Sequence, residues 1–467
     1  MAKIVLVTPP RQRSFSDITS YPLGLMYIAA YLIKHGKHDV SIIDLKVENK
    51  SDVALMAETK DVDFIGISGM TYEKEEVGLL VSFFRNIYPE KIIIVGGPHA
   101  TSDPEYFLSN KLIDYVVSGE AELTFNQLIS ELLNKNKYPE ISGVSYSKDN
   151  EIIINKAKIP DANLDDLPFP AWDLIDINKY SNLGIYKHKR YMIVFSTRGC
   201  PYQCIYCHSI FGKKYRKRSP ENVLKEIKIL YDQYNIREIH FIDDSFNLDI
   251  QRANKILDLI IENKLDLSLS FPFGLRADRL SVELLKKMKE AGTFLVAFAV
   301  ETASVKMQKV IKKNLDINKV MLMIEESNKL GFFIHGFFML GFPEETKKEM
   351  IDTVKLALRS KLHSASFCFV TPNPGNELYK RVENYINKDE QRSYLIAKDY
   401  GYLKVDVKEL EKIVDWAYRL FYFNPVRIFR FLKAVPHKKQ IMGLIMHGLY
   451  RTFLKAKSIN NIKFLKK

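Results

Sequence analysis

The chain has 467 residues, of which 46% are hydrophobic and 27% are charged, as in an ordinary globular protein of two or three domains. Of its net charge of +13, +12 comes from twelve Lys and Arg residues that follow Asp415, in a segment without acidic residues. No apolar run is long enough to span a membrane, and four cysteines without an export signal predict a reducing, cytoplasmic location. No recognition motif for nucleic acid accompanies the basic segment, so no nucleic-acid partner is expected.

The first 140 residues alternate apolar, strand-like runs with amphipathic helical patterns. Strands are predicted at residues 3–8, 40–44, 63–68, 91–95 and 114–117, and helices at residues 23–35, 73–85 and 121–134. Strands that alternate with helices indicate an α/β domain with a Rossmann-like, doubly wound parallel sheet. Ligands of such sheets bind beyond the carboxyl ends of the strands.

Short polar residues and glycines follow these strands at the edge where a ligand would bind. Glycine at such positions lets a flat or phosphate-bearing ligand approach the backbone. The candidate cofactor contacts are Thr8, Pro9, Ser68, Thr71, Gly96, Gly97, His99, Gly119 and Glu120.

A second series of strands and helices starts at residue 191, after a connector over residues 141–190 that contains a predicted hairpin (141–147 and 151–154). Strands are predicted at residues 192–196, 238–242, 267–271, 294–300, 332–340 and 364–370, and helices at residues 219–234, 249–263, 281–291, 317–330 and 346–360. This pattern predicts a partial (β/α)6 barrel over residues 191–375, with its reactive face at the carboxyl ends of the strands. The candidates at those ends are Asp243, Asp244, Arg276, Glu301 and Gly341.

Three of the four cysteines, Cys200, Cys204 and Cys207, lie within eight residues. A helix would point side chains at this spacing around its circumference, so a loop that wraps a ligand is predicted. Three thiolates can bind three irons of a cubane iron–sulfur cluster and leave the fourth iron open to a substrate or cofactor. A zinc site completed by His208 is the alternative. The remaining cysteine, Cys368, is predicted to be a buried core thiol.

The cysteine loop resembles the cluster loop of the radical S-adenosylmethionine (SAM) enzymes, in which an aromatic residue, here Tyr206, precedes the last cysteine. The resemblance implies that the three cysteines bind a 4Fe-4S cluster and that SAM chelates its open iron. An external one-electron reductant, flavodoxin or ferredoxin, would then trigger release of a 5'-deoxyadenosyl radical. The resemblance also implies that Asp243 or Asp244 contacts the amino group of SAM, Glu301 its ribose, Gly341 its adenine and Arg276 its carboxylate.

The N-terminal part resembles the cobalamin-binding domain in two elements, the Ser68-Gly-Met70 segment and the Gly96-Gly97 pair. The histidine element that this family carries after its first strand is missing, because Thr8 is followed by two prolines. This departure resembles the subgroup that is fused to radical SAM domains, which mostly binds cobalamin without a lower histidine ligand. His99 is either close to the corrin or an ordinary hydrogen-bonding residue.

Residues 376–467 are predicted to form a helical, basic C-terminal region. From residue 416 onward, aromatic and aliphatic residues interleave with the cations in two amphipathic segments. Helices of this kind either lie on an anionic membrane surface or pack on the barrel with their charges solvated, and the sequence leaves both open.

Together these features predict a cobalamin-dependent radical SAM enzyme that modifies an unactivated carbon, by C-methylation of a hydrophobic, membrane-associated small molecule or lipid. Cyclisation or oxidation without methyl transfer is the alternative reaction, and a corrinoid- or zinc-binding sensor is the alternative without catalysis. The enzyme is expected in the cytoplasm, with peripheral contact to the inner face of the membrane through its basic tail.

Overall fold

The computed structural model describes residues 1–10, 20–180, 185–208, 210–386 and 402–438. A first sheet is built from β1 (Lys3–Thr8), β2 (Asp39–Asp44), β3 (Phe64–Ser68), β4 (Ile92–Gly96), β5 (Tyr115–Val117), β6 (Val144–Lys148) and β7 (Glu151–Ile153). The strand order is β2-β1-β3-β4-β5-β6-β7. The first five strands in this order are parallel, and β6 and β7 are antiparallel to their neighbours.

Alternate residues of β1 enter two apolar cores, one on each face of the first sheet. Ile4 and Leu6 pack with α1 and α6 on one face, and Val5 and Val7 pack with α2 and α3 on the other. The helices of this half are α1 (Leu23–Tyr31, continued by a π-helical turn over Leu32–Gly36), α2 (Asp52–Thr59), a 3-10 turn (Thr71–Glu73), α3 (Lys74–Ile87), α4 (Pro98–Ser102), α5 (Pro104–Leu108) and α6 (Ala121–Leu133). The predicted doubly wound sheet is confirmed.

Strands β6 and β7 form a hairpin that extends the first sheet. The two residues of its turn, Asp149 and Asn150, have φ of 51° and 68°, as a type I′ turn requires. The hairpin pairs with β5 although the sequence placed it in the connector. The connector then continues through 3-10 turns at Leu164–Asp166, Trp172–Leu174 and Ile177–Lys179. The division of the chain into domains at residues 140, 190 and 375 stays a prediction.

The second sheet is an open barrel of six parallel strands. Its strands are β8 (Met192–Val194), β11 (Glu238–Phe241), β12 (Ser268–Leu275), β13 (Thr293–Glu301), β14 (Phe333–Leu340) and β15 (Ser364–Phe369), neighbours in this order, while β9 (Thr197–Arg198) and β10 (Arg216–Lys217) form a separate pair. The helices are α7 (Pro220–Asp232), α8 (Ile250–Glu262), α9 (Val282–Glu290), α10 (Val305–Val310), α11 (Ile317–Lys329) and α12 (Lys347–Arg359). The predicted partial (β/α)6 barrel is confirmed.

Helix α14 covers the open edge of this barrel at β15. The C-terminal elements are α13 (Glu377–Val382), a 3-10 turn (Glu383–Tyr385), α14 (Val407–Tyr422) and α15 (Pro425–Ala434). The Tyr422 hydroxyl donates to the carbonyl of Ala365 and accepts its N–H, at 2.8 and 3.0 Å. Tyr418, one helical turn earlier, does the same for Phe367 at 3.3 and 3.1 Å. The two hydroxyls therefore satisfy edge groups that would otherwise be open to pairing with another chain.

In the described part of the basic tail, α14 packs on the barrel, and so does one cation of α15. Arg427 is 4% exposed and donates to the carbonyls of Leu358, in the last turn of α12, and Leu362, in the loop that follows it. The second amphipathic segment, after residue 438, lies outside the described residues. Among the helices that the structure describes, none combines the length and the apolarity needed to cross a membrane.

Candidate functional site

The cysteine loop lies between β9 and β10, whose antiparallel pairing closes its base. Gly199 starts the loop with φ of 84°, and a Cβ there would overlap the carbonyl oxygens of Lys214 and Phe211. Only glycine fits this position without strain. The Cys200 Sγ lies 3.5 Å from the hydroxyl of Ser245, and the Cys204 Sγ lies 3.9 Å from the carbonyl of Lys312.

The three thiols form no disulfide and share one partly buried environment. Burial, together with the neighbouring Cys204, Asp244 and Cys200, raises the pKa of Cys207 to about 12. Such thiols stay protonated until a cation stabilises the thiolates, which is what iron does in a cluster. Within the described ranges, no three His, Cys, Asp or Glu side chains converge closely enough for a single metal ion. A set of three thiols is the donor set that three irons of a cubane cluster require.

Tyr206 of the cysteine loop forms a hydrogen-bonded triad with the buried Glu301 and Lys313. The Glu301 carboxylate accepts the Tyr206 hydroxyl at 3.1 Å and the Lys313 ammonium at 2.8 Å. Glu301 ends β13 with φ of 67° after a register shift, a conformation that costs about 1–3 kcal/mol and concentrates at functional sites. Lys313 was not predicted, because nothing in the sequence separates it from the other lysines of the chain.

The paired aspartates after β11 have different surroundings. Asp243 accepts the N–H groups of Ser196 and Thr197 and the Ser196 hydroxyl, each at 2.6 Å. Its carboxylate is thus committed to the chain that follows β8. Asp244 accepts the N–H of Gly199 beside the cysteine loop, and burial raises its pKa. Of the two alternatives left open by the sequence, Asp244 is the carboxylate that faces the cysteine loop.

Arg276 and Gly341 lie near the same end of the barrel. The Arg276 guanidinium makes two hydrogen bonds with Asp278, at 3.0 and 2.9 Å, and lies 3.6 Å from the centre of the Tyr202 ring. Gly341 has φ of 94° and donates its N–H to Glu345 at 2.8 Å. Glu345 is fully buried, which raises its pKa to about 7. Glu345 was not among the predicted site residues.

The carboxyl edge of the first sheet carries the other candidates. The Thr8 hydroxyl donates to Asp44 at the end of β2. Gly97 has φ of 96°, and a Cβ there would lie 2.6 Å from the Ser68 hydroxyl, so its glycine serves the contact between two loops. The edge is more open at Gly96, where a Cβ would reach only the Val117 carbonyl at 3.4 Å. Pro9 is buried, and Thr71 begins the 3-10 turn after β3.

His99 is buried at 2% exposure, and its ring packs against Tyr106 and Phe107 at centroid distances of 5.0 and 5.3 Å. It does not present its ring at the open edge. An edge of hydroxyls and glycines without an exposed histidine fits a corrin that is held without a histidine from the protein.

A buried ion network joins this edge to the cysteine loop. Arg198, two residues before Cys200, donates to Glu120 at 2.7 Å and to Glu122 at 2.6 Å, and Arg216 also pairs with Glu120. All four side chains are at most 9% exposed. Glu120, predicted as a cofactor contact, is therefore engaged by the barrel, and Gly119 beside it has φ of 80°.

Two family models match successive parts of the chain. The model described as B12 binding domain matches residues 17–129, and the model described as Radical SAM superfamily matches residues 194–357. The first match lies in the half that holds the first sheet, and the second contains the cysteine loop and most of the barrel. Fold and site thus define an enzyme that combines a corrinoid-binding part with a radical SAM barrel.

Known proteins are similar to this chain over most of its length. An uncharacterized methyltransferase of Pyrococcus horikoshii is 32% identical over 465 residues, covering 97% of this chain and 99% of the relative. The cytidylyl-2-hydroxyethylphosphonate methyltransferase of Streptomyces wedmorensis is 28% identical over 448 residues, covering 83% of each. The radical SAM methyltransferase TsrM from Kitasatospora setae, solved with cobalamin and a 4Fe-4S cluster, shares the fold at a TM-score of 0.68 and 15% identity, over 91% of this chain and 82% of that one.

The chain belongs to the family of cobalamin-dependent radical SAM enzymes. Its cofactors are a 4Fe-4S cluster, SAM and cobalamin, as predicted. Like other radical SAM enzymes, it takes an electron from an external reductant and acts on a small molecule.

Proposed function

We propose that this enzyme transfers a methyl group to an unactivated carbon of a hydrophobic small molecule, with Cys200, Cys204 and Cys207 as the cluster ligands. The observation that carries the proposal is that one loop holds three thiols at the mouth of the barrel. Arg198 ties this loop to the edge of the first sheet, where cobalamin is proposed to bind. Both relatives described above are named methyltransferases, which favours methyl transfer over cyclisation.

When bound, the cluster and SAM supply a 5'-deoxyadenosyl radical that abstracts hydrogen, and cobalamin supplies the methyl group. The chain's own residues position these reactants, since a reactive radical has to meet the correct carbon without diffusing. The loop after β5 and the cysteine loop are fixed to one another by the buried pairs of Arg198. Their separation is therefore set by the fold before any substrate binds.

The contacts to SAM are proposed from the surroundings of each side chain. Asp244 is proposed to bind the amino group, because all the hydrogen bonds of Asp243 already go to the backbone and side chain at Ser196 and Thr197. Glu301 is proposed for the ribose and Gly341 for the adenine. Arg276 is proposed for the carboxylate, for which its pair with Asp278 would open.

The cobalamin contacts are proposed at Thr8, Pro9, Ser68, Thr71, Gly96, Gly97 and Gly119. Because His99 is buried behind Tyr106 and Phe107, no histidine ligand to cobalt is proposed. Electron paramagnetic resonance of the bound cob(II)alamin checks this. The same spectrum is expected for wild type and His99→Ala, and nitrogen hyperfine splitting that disappears in His99→Ala would contradict the assignment.

A peripheral membrane contact is proposed for the outer face of α14 and α15. Leu420, Phe423, Val426 and Phe429 are 43%, 48%, 67% and 70% exposed. The exposed cations Arg419 and Lys433 lie on the same two helices, and apolar side chains beside cations favour an anionic bilayer surface. A flavodoxin or ferredoxin is proposed as the electron donor.

The membrane contact is tested with point substitutions, because removing α14 would also open the β15 edge. The full chain is floated with vesicles of phosphatidylcholine alone or with phosphatidylserine. Val426→Asp and Phe429→Asp should reduce binding to the anionic vesicles. Val53→Asp, at a 75% exposed site on α2, is the matched control. Equal flotation of all variants would contradict the contact.

The reaction is tested with SAM that carries a deuterated methyl group. Anaerobically reconstituted enzyme with cobalamin and dithionite is incubated with a lipid extract of host cells lacking the enzyme. A product that gains one labelled methyl group only when cobalamin is present supports methyl transfer. A product that loses hydrogens without gaining the label would contradict it and indicate cyclisation or oxidation.

A further inference from the structure

The inner face of β14 and β15 is partly open to solvent. Along β14, His335, Phe337 and Met339 are half-buried, while the residues between them are buried, and Ser366 of β15 is half-buried likewise. The opposite face of these strands is covered, since Phe338 stacks on Phe367 at 5.3 Å and Phe367 contacts Tyr418 and Phe421 of α14. The half-buried side chains therefore point into the barrel.

A hydrogen-bonded group of His335 and two serines lies in this open space, toward the amino-terminal ends of β14 and β15. The His335 Nδ1 is 2.7 Å from the Ser364 hydroxyl, and its Nε2 is 3.2 Å from the Ser366 hydroxyl. Burial lowers the pKa of His335 to about 4, so the ring is neutral at pH 7 and has one donor and one acceptor nitrogen. Ser366 is the more accessible serine, and its hydroxyl can still offer hydrogen bonds to a ligand.

The open space continues from His335 toward the carboxyl ends of the strands, where the cysteine loop lies. Ala297 and Ala299 of β13 stand directly opposite His335 and Phe337, and their short side chains leave room on this face. Met339 packs on the apolar cluster that contains Ile205 of the cysteine loop and Phe342. Met339 lies four residues further along the strand than His335, a distance of about 13 Å.

The strands that line this space carry almost no charge. The segments SLSFPFGL, TFLVAFAVE, FIHGFFML and SASFCF of β12 to β15 contain no Lys, Arg or Asp, and their one acidic residue is Glu301 at the mouth. A phosphate or carboxylate placed between Met339 and His335 would lose its hydration without meeting a cation from these strands, which is strongly unfavourable.

We propose that the inner face of β13, β14 and β15 binds an uncharged, apolar part of the substrate, and that Ser366, oriented by His335, hydrogen-bonds an oxygen at the end of that part. This inference rests on the proposed function and specifies its substrate as a molecule with an apolar body and a hydroxyl or carbonyl end. Ser366 is the contact residue and His335 a positioning residue.

The test measures binding of 1-octanol, octanoate and octyl phosphate to the enzyme loaded with cluster and cobalamin, by isothermal titration calorimetry. Wild-type enzyme should bind 1-octanol at least tenfold more tightly than octyl phosphate. Ser366→Ala and His335→Phe should each weaken 1-octanol about five- to tenfold, the effect of one lost hydrogen bond. His335→Gln keeps a hydrogen-bonding group beside Ser366 and should recover part of this loss. Ser82→Ala, on α3, is the matched control.

The proposal is overturned if octyl phosphate binds as tightly as 1-octanol, if wild-type enzyme binds none of the three, or if Ser366→Ala binds 1-octanol like wild type. Thermal melting of each variant shows whether it is folded, and Ser366→Ala removes a single oxygen if His335→Phe does not fold. Release of 5'-deoxyadenosine is measured in the same samples. Its absence with selective 1-octanol binding would reject the proposed function and leave the binding site standing.

Discussion

Removal of Arg198 should cost much of the stability of the fold, because its loss leaves charge buried between the two halves of the chain. It donates to Glu120 and Glu122 at 2.7 and 2.6 Å and is 4% exposed. In Arg198→Met, Glu120 keeps Arg216, while Glu122 loses the one ion-pair partner found for it among the described residues. Breaking a buried pair in this way costs about 3–5 kcal/mol.

The free energy of unfolding in urea, followed by the fluorescence of Trp172 and Trp416, measures this cost. Trp172 reports on the junction, since it is 3% exposed and its ring lies edge-on to Tyr21 at 6.2 Å. Glu122→Gln in the Arg198→Met background removes the stranded charge and should recover about 1–3 kcal/mol. Lys287→Met, which breaks the more exposed pair with Asp258, should cost at most about 1 kcal/mol. A loss in Arg198→Met no larger than in Lys287→Met would refute the reasoning.

Three further perturbations follow from single contacts. Burial raises the pKa of Glu345 to about 7, so the folded protein binds this proton more tightly than the unfolded chain, and stability should fall as pH rises from about 4.5 through 7. The melting temperature should therefore fall less between pH 5.5 and 8.5 in Glu345→Gln than in wild type. An equal fall in both proteins would contradict this. Tyr418→Phe and Tyr422→Phe should each lower the free energy of unfolding by about 1 kcal/mol. The double variant should aggregate and scatter more light, because the edge of β15 is then open to pairing with another chain. Unchanged scattering in the double variant would contradict the protective role of the two hydroxyls. Gly199→Ala should lower iron incorporation, whereas Gly78→Ala, a helical site with open space around it, should leave iron content unchanged.

The regular elements were predictable because their hydrophobic periods are strong. The prediction for β1 matches the structure residue for residue, and the other predicted strands differ mainly at their ends. The hydrophobic period of a strand does not show which strand it pairs with. The hairpin of β6 and β7 was therefore predicted in the connector, although it completes the first sheet. The short α2 and α10 were missed for lack of a long amphipathic pattern.

The candidate site was less predictable where tertiary contacts decide a side chain's role. Sequence placed Asp243 and Asp244 together and could not separate them, whereas the chain after β8 occupies Asp243. Lys313 follows a helix too short to carry a signal, and only the fold brings it to Glu301. Tyr418 and Tyr422 have the four-residue spacing of a helix face, but the strand edge that they cover is distant in sequence.

The most direct test of the central claim is the iron content and 5'-deoxyadenosine release of the anaerobically reconstituted enzyme with dithionite and SAM. Wild-type protein should hold about four irons per chain and release 5'-deoxyadenosine, and Cys368→Ala should keep the same iron content. Replacing Cys200, Cys204 and Cys207 together by alanine should remove both the iron and the product. A triple variant that retained wild-type iron and 5'-deoxyadenosine release would contradict the account.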